Sequence, residues 1–270
     1  MPEQNKKLAS ITQPEIWIAR LSDLREYRQE LLTLLNSVEH TRCARYLQQD
    51  DRDRYLGGRA LTKLAAAKLT GVRPADINIV LAATGKPAIS LARTGLKLPA
   101  ISISHAGELV VLALAYDVDI GVDVELLHHD VILDELMGVV CSATEIAEIN
   151  KENQRADQKS RTQKFYEFWV LKEAYLKATG DGLSADTRRL VFSVDDVSIV
   201  SLSQGLDNQP AHAWDFFLKQ HDQQHMLALA SRKIAYEQTD QSEHTTAHCM
   251  PVFMDALSLF REYYSGRTSG

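Results

Sequence analysis

The hydrophobic pattern in the first half of the chain alternates between strand and helix periods. An apolar run at 15–20 predicts a short strand, and apolar residues three and four apart predict a helix over about 22–37. A second helix is expected to begin near the acidic pair at 50–51 and to stop at Gly71. Further strands are predicted where apolar runs are bounded by turn residues, at 77–82, 100–106, 108–116 and 120–125. This half is therefore predicted to be α+β.

The second half repeats this alternation. Short helices are expected at about 132–152, then a polar loop at 150–160 and a long helix at about 161–179, which ends at a G-D-G sequence. Four strand-like segments follow, at 188–194, 197–202, 213–219 and 225–230. Beyond Ala235 a polar stretch is predicted to be a flexible linker, and 252–264 to be a final surface or packing helix.

The two halves share a pattern that points to duplication. Helices ending in "AAAKLTG" and "AYLKATG" are each followed, after strand-like segments, by the apolar sequence "LALA", at 112–115 and 227–230. Short apolar sequences also recur by chance, so this pattern alone leaves the duplication open. A duplication predicts two similar α+β subdomains, 1–118 and 119–235, that form a pseudo-dimer with a cleft at their interface, followed by the linker and helix of 236–270.

Composition narrows the class of protein. The 270 residues carry a formal net charge of −6, which argues against general nucleic-acid binding, because that needs a basic surface. No apolar run approaches the roughly 20 residues that span a bilayer, and the first residues lack the apolar core of a secretory signal. We therefore expect a cytoplasmic protein without membrane contact. The three cysteines are odd in number and lack metal-ligand spacing, which argues against a disulfide framework and against zinc.

Two acids share one face of the predicted strand at 120–125. Side chains alternate along a strand, so Asp123 and Glu125 point one way while Val122 and Val124 point the other. The two carboxylates repel each other unless both are solvated, one is protonated, or a cation lies between them. A solvated edge strand is the commoner reason for this pattern. The preceding apolar run, however, is typical of a strand buried on both faces, which places the acids at the mouth of a core.

A second polar set lies on the predicted helix at 161–179. Trp169, Glu173 and Lys177 are four residues apart and therefore share a face. A Glu–Lys pair at this spacing is commonly a surface salt bridge that contributes only tenths of a kcal/mol. The residues around Glu173 are apolar nearly all round the helix, which is typical of a buried helix, and a buried glutamate needs a partner.

A third group is suited to anion binding. Ser104 and His105 end a strand at a turn, where side-chain and backbone donors can meet a phosphate. Ser/His hydrolysis is the weaker alternative, because adjacent strand residues face opposite ways and no G-x-S-x-G elbow is present.

Five basic residues lie near the second helix and in the T-G-K turn: Arg42, Arg45, Arg54, Arg59 and Lys86. Each alone is more commonly a solvated charge, but together they could clamp a multiply phosphorylated ligand. The T-G-K turn is not a Walker loop, because the required glycine spacing is missing.

These motifs together resemble one protein family. "GVDVE" at 121–125 and "FWVLKEAYLKATGDGL" at 168–183, with "GKP" and "ISISHAG" upstream, are similar in order and spacing to the motifs of the 4′-phosphopantetheinyl transferase superfamily. The similarity covers about 42–183. The length of the chain resembles that of the larger, monomeric group typified by the surfactin-synthetase activator. The resemblance therefore accounts for the suspected duplication and implies a pseudo-dimer with its active site between the halves.

The resemblance implies a reaction. Members of the family transfer 4′-phosphopantetheine from coenzyme A to a serine of an apo acyl or peptidyl carrier protein, and they release adenosine 3′,5′-bisphosphate. Asp123, Glu125 and Glu173 would hold Mg²⁺, or Mn²⁺ in its place, through oxygen ligands. Lys177 would neutralise the pyrophosphate. Glu173 would accept the serine proton, with a metal-bound hydroxide as the rival base.

The resemblance also implies a set of contacts to the 3′-phosphate of coenzyme A. Arg42, Arg54 and His105 would face this phosphate. Glu39 stands where some relatives have a basic residue.

Other residues would meet the remainder of coenzyme A by the same resemblance. Lys86 and Arg59 would face the adenine-ribose end, and Ser104 a phosphate oxygen. Asp123 and Lys177 would complete the binding set at the pyrophosphate.

Two other functions stay open at this point. A catalytically idle module would bind carrier protein without modifying it, and a Mg²⁺-dependent hydrolase would break nucleotide pyrophosphates without an acceptor. The intact acids and Lys177 favour the transferase. Carrier proteins are usually acidic, as this chain is, so docking is expected to use a local apolar or basic patch.

Overall fold

The computed structural model describes most of the chain. The described ranges are 13–92, 95–128, 133–152, 158–182, 185–194, 200–204, 206, 211–233 and 250–265. Within them the protein has eight α-helices and eleven strands, so the predicted α+β class is confirmed. No helix in these ranges is long and apolar enough to cross a membrane.

The first half begins with a strand and a run of helices: β1 (Glu15–Arg20), α1 (Leu21–Glu26), α2 (Arg28–Leu32), α3 (Ser37–Ala44) and α4 (Gln49–Thr70). The single helix predicted over 22–37 is wrong, because Tyr27 leaves helical geometry between α1 and α2, with φ −102° and ψ 17°. Helix α3 has no counterpart among the predicted elements. It begins at a capping box, in which the Asn36 side chain accepts the Glu39 N–H and the Glu39 carboxylate accepts the Asn36 N–H.

Four strands complete the first half: β2 (Ile77–Leu81), β3 (Pro87–Leu91), β4 (Ala100–Ala106) and β5 (Leu109–Ala115). Strands β2 and β3 form a separate antiparallel hairpin. Strand β5 pairs antiparallel with β4 on one side and with β1 on the other. All seven residues of β5 are buried, as expected for an apolar strand in the middle of a sheet.

The second half contains three helices and five strands: β6 (Val118–Leu126), α5 (Leu133–Val140), α6 (Ala143–Glu152), α7 (Gln158–Thr179), β7 (Val191–Val194), β8 (Val200–Gln204), β9 (Trp214–Gln220) and β10 (His225–Lys233). The long helix predicted at 161–179 is confirmed and begins three residues earlier. The predicted loop at 150–160 is wrong at both ends, because 150–152 belong to α6 and 158–160 to α7; residues 153–157 lie outside the described ranges. Strands β7 and β8 form a second hairpin.

The C-terminal part of the chain packs against the first half. The predicted helix over 252–264 is wrong at its start, because β11 (Val252–Asp255) pairs in parallel with β1, and α8 (Ala256–Ser265) follows it. Asp255 separates the two elements, since its carboxylate accepts backbone N–H groups of the first turn of α8. The predicted linker lies outside the described residues.

The two halves share one order of elements. In each, a 22-residue helix is followed by a short 3₁₀ turn, a hairpin and two antiparallel strands. The first sheet has the order β11-β1-β5-β4 and the second the order β6-β10-β9, so β6, β10 and β9 correspond to β1, β5 and β4. This correspondence supports the predicted duplication, although the subdomain boundaries stay a prediction.

The two sheets meet along β4 and β6. The hydroxyl of Ser102 accepts the Val122 N–H at 3.0 Å, and the hydroxyl of Ser104 accepts the Val124 N–H at 3.3 Å. Alternate residues of β5 and β6 form a fully apolar core between the sheets. The opposite face of β6 is thereby left for helix α7.

Candidate active site

Strand β6 and helix α7 bring acids and a lysine from distant parts of the chain together. Asp123 is buried on the α7 side of β6. The Nζ of Lys177 lies 2.7 Å from Oδ1 of Asp123. Glu173 lies one turn before Lys177 on the same helix face, as the spacing predicts.

A glycine permits this close approach of strand and helix. A Cβ atom at Gly121 would lie 2.0 Å from the Ala174 carbonyl oxygen and 2.5 Å from the Ala178 nitrogen. No side chain fits there, so the first residue of the "GVDVE" motif is required by packing. Sequence reasoning assigned no role to this glycine.

Ser104 joins the site from the first half of the chain. Its Oγ donates to Oδ1 of Asp123 at 2.8 Å, while it accepts from Lys177 Nζ at 2.9 Å and from the Val124 N–H. Its one proton is therefore already used on Asp123. In this arrangement Ser104 orients the Asp–Lys pair, and the predicted contact to a phosphate oxygen would require that hydrogen bond to be exchanged.

The remaining oxygen of Asp123 is unsatisfied. Oδ2 is buried and has no hydrogen-bond partner among the described residues. A buried carboxylate oxygen without a partner is costly, and such groups normally bind a donor, a water or an ion. The structure therefore leaves one strong acceptor of the cluster without a donor.

The other two acids are held in unfavourable surroundings. Burial, together with the charge of Asp123 and to a lesser degree of Glu173, raises the pKa of Glu125 to about 7, against the opposing charge of Lys177. Burial and the charge of Asp123 likewise raise the pKa of Glu173. A cation at this position would favour the charged forms of Glu125 and Glu173.

The three carboxylates form the candidate metal-binding set. Within the described ranges, no three His, Cys, Asp or Glu side chains are arranged to hold a metal ion as they stand, and the cation that faces Asp123 is the Lys177 ammonium group. The residues nevertheless fit a hard divalent cation. All three candidate ligands supply oxygen, one buried oxygen is unsatisfied, and their mutual repulsion would be relieved by positive charge.

A cavity of about 390 Å³ opens beside this cluster. Its wall includes residues of the turn between β2 and β3, of β4, of α7 and of the glycine turn after α7: Thr84, Gly85, Lys86, Pro87, Ile101, Ser102, Ile103, Glu173, Leu176, Lys177, Gly180 and Gly182. Lys86 reaches across it and donates to the Ala178 carbonyl oxygen. Burial lowers the pKa of Lys86. Three predicted site residues, Lys86, Glu173 and Lys177, thus line one cavity.

Two more predicted residues lie near the turn after β4, His105 at the end of β4 and Arg54 on α4. Arg54 of α4 donates to the Gly107 carbonyl oxygen at 2.7 Å and pairs with Asp51 at 2.8 Å. His105 is exposed on one side. Desolvation on its other side, with the charges of Arg54 and Lys177, lowers its pKa. Arg54 and Lys177 are therefore close enough to His105 to act on it at the Ser104 end of the site, and they favour its neutral imidazole.

Two predicted arginines stand apart from the cavity wall. The guanidinium carbons of Arg42 and Arg59 lie 5.8 Å and 5.3 Å from the ring centroid of Tyr55. Arg59 also donates to the Ile79 carbonyl oxygen at 3.4 Å. Arg42 contributes to a separate surface pocket with Arg45, so their predicted contacts to coenzyme A stay predictions.

Comparison with known proteins assigns the family. Residues 22–116 match the family described as 4′-phosphopantetheinyl transferase, N-terminal, and residues 119–230 match the 4′-phosphopantetheinyl transferase superfamily. The chain belongs to this superfamily. The second match spans β6, α7 and β10, and so contains the three acids and Lys177.

Named relatives agree with this assignment. The transferase is 29% identical over 171 residues to the 4′-phosphopantetheinyl transferase HetI of Nostoc, covering 63% of this chain and 69% of the relative. It is 28% identical to a phosphopantetheinyl transferase of Thraustochytrium, covering 80% and 77%, and 28% identical to a 4′-phosphopantetheinyl transferase of Bacillus subtilis, covering 74% and 82%.

Among solved structures, the transferase is similar to a holo-(acyl-carrier-protein) synthase from Bacillus anthracis in complex with coenzyme A (3′,5′-ADP). The TM-score is 0.34 at 23% identity, and the match covers 40% of this chain and 97% of that chain. A second similar structure is the Helicobacter pylori holo-[acyl-carrier-protein] synthase in complex with coenzyme A, with a TM-score of 0.30 at 18% identity over 38% and 98% of the chains.

The lysine before Glu173 has a structural role that sequence reasoning missed. Lys172 of the transferase is 1% exposed and pairs with Glu145 at 2.7 Å. It also donates to the carbonyl oxygens of Thr187 and Leu190. The other oxygen of Glu145 accepts the Phe192 N–H. A polar network thereby fixes α7 and leaves Glu173 facing the cavity.

A sequence signal for this network exists. The tetrapeptide "SATE" at 142–145 has the S-x-x-E form of a capping box, and the structure contains both of its hydrogen bonds at the start of α6. Glu39 takes part in the same kind of network in the first half. It is buried and pairs with Lys63 at 2.6 Å, so it supports the fold rather than a phosphate site.

Proposed function

We propose that the transferase moves 4′-phosphopantetheine from coenzyme A to a serine hydroxyl of an apo acyl or peptidyl carrier protein. The observation that carries the proposal is the Asp123–Lys177–Ser104 cluster with Glu173, at the edge of a cavity where the two halves of a superfamily member meet. Cationic groups for a pyrophosphate and carboxylates for a metal and a proton are the components that this phosphoryl transfer requires.

The acids are proposed to hold a divalent metal ion. Asp123, Glu125 and Glu173 would bind Mg²⁺, or Mn²⁺ in its place, because each supplies a hard oxygen and the buried Oδ2 of Asp123 has no other partner. When bound, the metal would offset the negative charge that develops on the pyrophosphate during transfer.

The chain's own residues would bind and orient coenzyme A. The cavity beside Lys86 and Lys177 accepts the nucleotide and pyrophosphate, and the two ammonium groups offset their negative charge. His105 and Arg54 lie at the Ser104 end, where they would face a phosphate. Ser104 holds Lys177 against Asp123 until the substrate arrives.

The transfer step follows from this placement. The serine oxygen of the carrier attacks the phosphorus that bears the pantetheine arm, a new P–O bond forms, and the bond to adenosine 3′,5′-bisphosphate breaks. The serine proton passes to the carboxylate of Glu173, which lines the cavity. Lys177 stays on the pyrophosphate side and offsets the charge on the leaving group.

The experiment is transfer to a panel of apo carrier proteins with coenzyme A and Mg²⁺, read by intact mass. We expect a gain of one phosphopantetheine per carrier that is lost in Asp123→Ala, Glu125→Ala and Glu173→Gln. Glu167→Gln is the matched control, because Glu167 lies on the same helix and pairs with Lys164 at 3.1 Å. Full activity in all three site variants would overturn the proposal. Carrier binding without a mass gain would indicate an idle module, and coenzyme A breakdown without an acceptor a hydrolase.

A monomer is proposed to suffice for activity. Residues from both halves of one chain, Ser104 and Asp123, meet at the cluster, so a second copy is not required to complete it. Sedimentation of the active protein tests this, and activity confined to a dimer would contradict it. The cytoplasmic location stays a proposal from the sequence, which cell fractionation tests.

A further inference from the structure

The turn that follows Ser104 and His105 is held from two sides. It joins β4 to β5 through Gly107, which has a positive φ of 50°. On one side Arg54 donates to the Gly107 carbonyl oxygen at 2.7 Å. On the other side, a residue from the second half of the chain packs against it.

That residue is His225, the first residue of β10. It is 2% exposed. A Cβ atom at Gly107 would lie 3.0 Å from its Nε2 and 3.3 Å from Leu126 Cδ2, so any larger residue at this position would crowd the imidazole. The Nε2 atom is buried and has no hydrogen-bond partner among the described residues. The ring is therefore in tight contact with the turn and not with solvent.

Asp222 fixes the orientation of this ring. Its carboxylate lies 2.9 Å and 3.1 Å from Nδ1 of His225. The same carboxylate accepts the backbone N–H groups of Gln224 and His225, both at 2.8 Å, and it lies 3.6 Å from the guanidinium group of Arg20. With Nδ1 occupied by a carboxylate, the imidazole can rotate little, and its Nε2 edge is held toward Gly107.

We propose that His225, oriented by Asp222, is a positioning residue for the Ser104–Gly107 segment. The inference rests on the proposed function, because its consequence is for coenzyme A binding. The imidazole fills the space behind Gly107 and keeps the end of β4 against β6. Ser104 then stays on Asp123, and His105 stays beside Arg54. Removal of the ring leaves a cavity into which the turn can relax, and small shifts of such groups are costly for binding.

The test is a comparison of kinetic constants and direct binding. In His225→Ala, KM and the calorimetric Kd for coenzyme A are expected to rise about tenfold, of the order that a misplaced binding group costs. The KM for carrier protein is expected to stay within about twofold, and kcat to fall by a smaller factor than the rise in Kd for coenzyme A. His225→Gln, whose amide reaches toward the position of Nε2, is expected to restore part of the loss. Gln223→Ala, an exposed change in the same loop, is the control.

A purely structural role predicts a different result. Partial unfolding would lower the active fraction, and so kcat, without changing KM or Kd for coenzyme A. A lower kcat with unchanged KM and Kd for coenzyme A would overturn the inference, and so would no change in any of these constants. Transfer by the unmodified protein would still support the proposed function. Failure of the unmodified protein to bind coenzyme A would overturn both.

A double-mutant cycle keeps the inference testable if His225→Ala folds poorly. Gly107→Ala introduces a Cβ that clashes with the ring and is expected to weaken coenzyme A binding. In Gly107→Ala/His225→Ala the clash is gone, so part of the binding is expected to return despite the positive φ. Additive losses would mean that the two residues do not act through their contact, and would contradict the positioning role.

Discussion

The two halves of the molecule share a scaffold and differ in chemistry. Helices α4 and α7 are both 22 residues long, and each has a buried lysine at the same position from its start, Lys63 and Lys172. Each lysine pairs with a glutamate that belongs to a capping box, Glu39 at 2.6 Å and Glu145 at 2.7 Å. Each glutamate thus pairs with a buried lysine and also accepts a backbone N–H in its capping box. The recurrence of this combination in both halves supports their descent from one repeated unit.

The residues that follow these lysines differ. Leu64 stands in α4 where Glu173 stands in α7. On the helix-facing side of the strands, β1 contributes Trp17 to the same apolar core as Leu64, where β6 presents Asp123 to α7. The first half therefore has apolar residues on the helix and strand faces that carry acids in the second. The comparison teaches that the buried pair belongs to the scaffold, while the acids were placed on it in one half only.

The first half contributes to the site in another way. It supplies Ser104, His105 and Arg54, which reach the cluster of the second half across the junction of β4 and β6. A single site thus uses the acids of one half and the donors of the other.

Replacing Glu173 by the leucine found at the corresponding position of the first half should abolish carrier modification. Glu173→Leu, which copies Leu64, is expected to lower the rate of carrier modification about a thousandfold, because it removes a proposed ligand and base. Circular dichroism should show the fold retained, since the position faces a cavity. A variant that keeps most of its activity would remove Glu173 from the chemistry and contradict the comparison. The rate is measured by intact mass of the carrier.

Breaking the buried pairs should test whether they are equivalent. Lys63→Met and Lys172→Met each leave a buried glutamate without its cation, so each is expected to lower the free energy of unfolding by about 3–5 kcal/mol. The loss should be greater for Lys172, which also donates to two carbonyl oxygens, whereas Lys63 donates to one. Urea unfolding measures both values. A near-neutral result for either lysine would mean that the pairs are not matching parts of the scaffold.

The close approach of α7 to β6 should depend on Gly121. Gly121→Ala places a Cβ against the backbone of α7 and is expected to lower the free energy of unfolding by about 3 kcal/mol, as overpacking does. Gly58→Ala of α4 is the milder counterpart, because its Cβ would lie 3.3 Å from one methyl group of Ile103. Equal losses in the two variants, measured by thermal unfolding, would show that the strand–helix contact is not tighter in the second half.

The acids should also make the stability of the metal-free protein depend on pH. Folding raises the pKa of Glu125 from 4.5 to about 7, so the folded state favours the protonated form. Stability should therefore fall as pH rises from about 4.5 to 7, by about 2 kcal/mol in chelator. Glu125→Gln should flatten this slope, and added Mg²⁺ should reduce it if the acids bind the ion. A slope that is unchanged in Glu125→Gln would assign it to other groups.

Local physics determined a large part of the site. Strand alternation alone gave the shared face of Asp123 and Glu125, and helical spacing gave that of Glu173 and Lys177. The apolar surroundings of Glu173 indicated a buried helix, and the motifs together indicated the family. These features depend on residues within a few positions of one another, so a single sequence contains them in full.

Which of these groups meet depends on the packing of distant parts of the chain. The hydroxyl of Ser104 donates to Asp123 and accepts from Lys177 because β4 and β6 lie side by side, and β11 joins β1 from the far end of the chain. His225 reaches Gly107 for the same reason. Such contacts depend on which sheet edges and helix faces pack together, and that choice follows from burial of the whole apolar surface, for which no local period in the sequence exists.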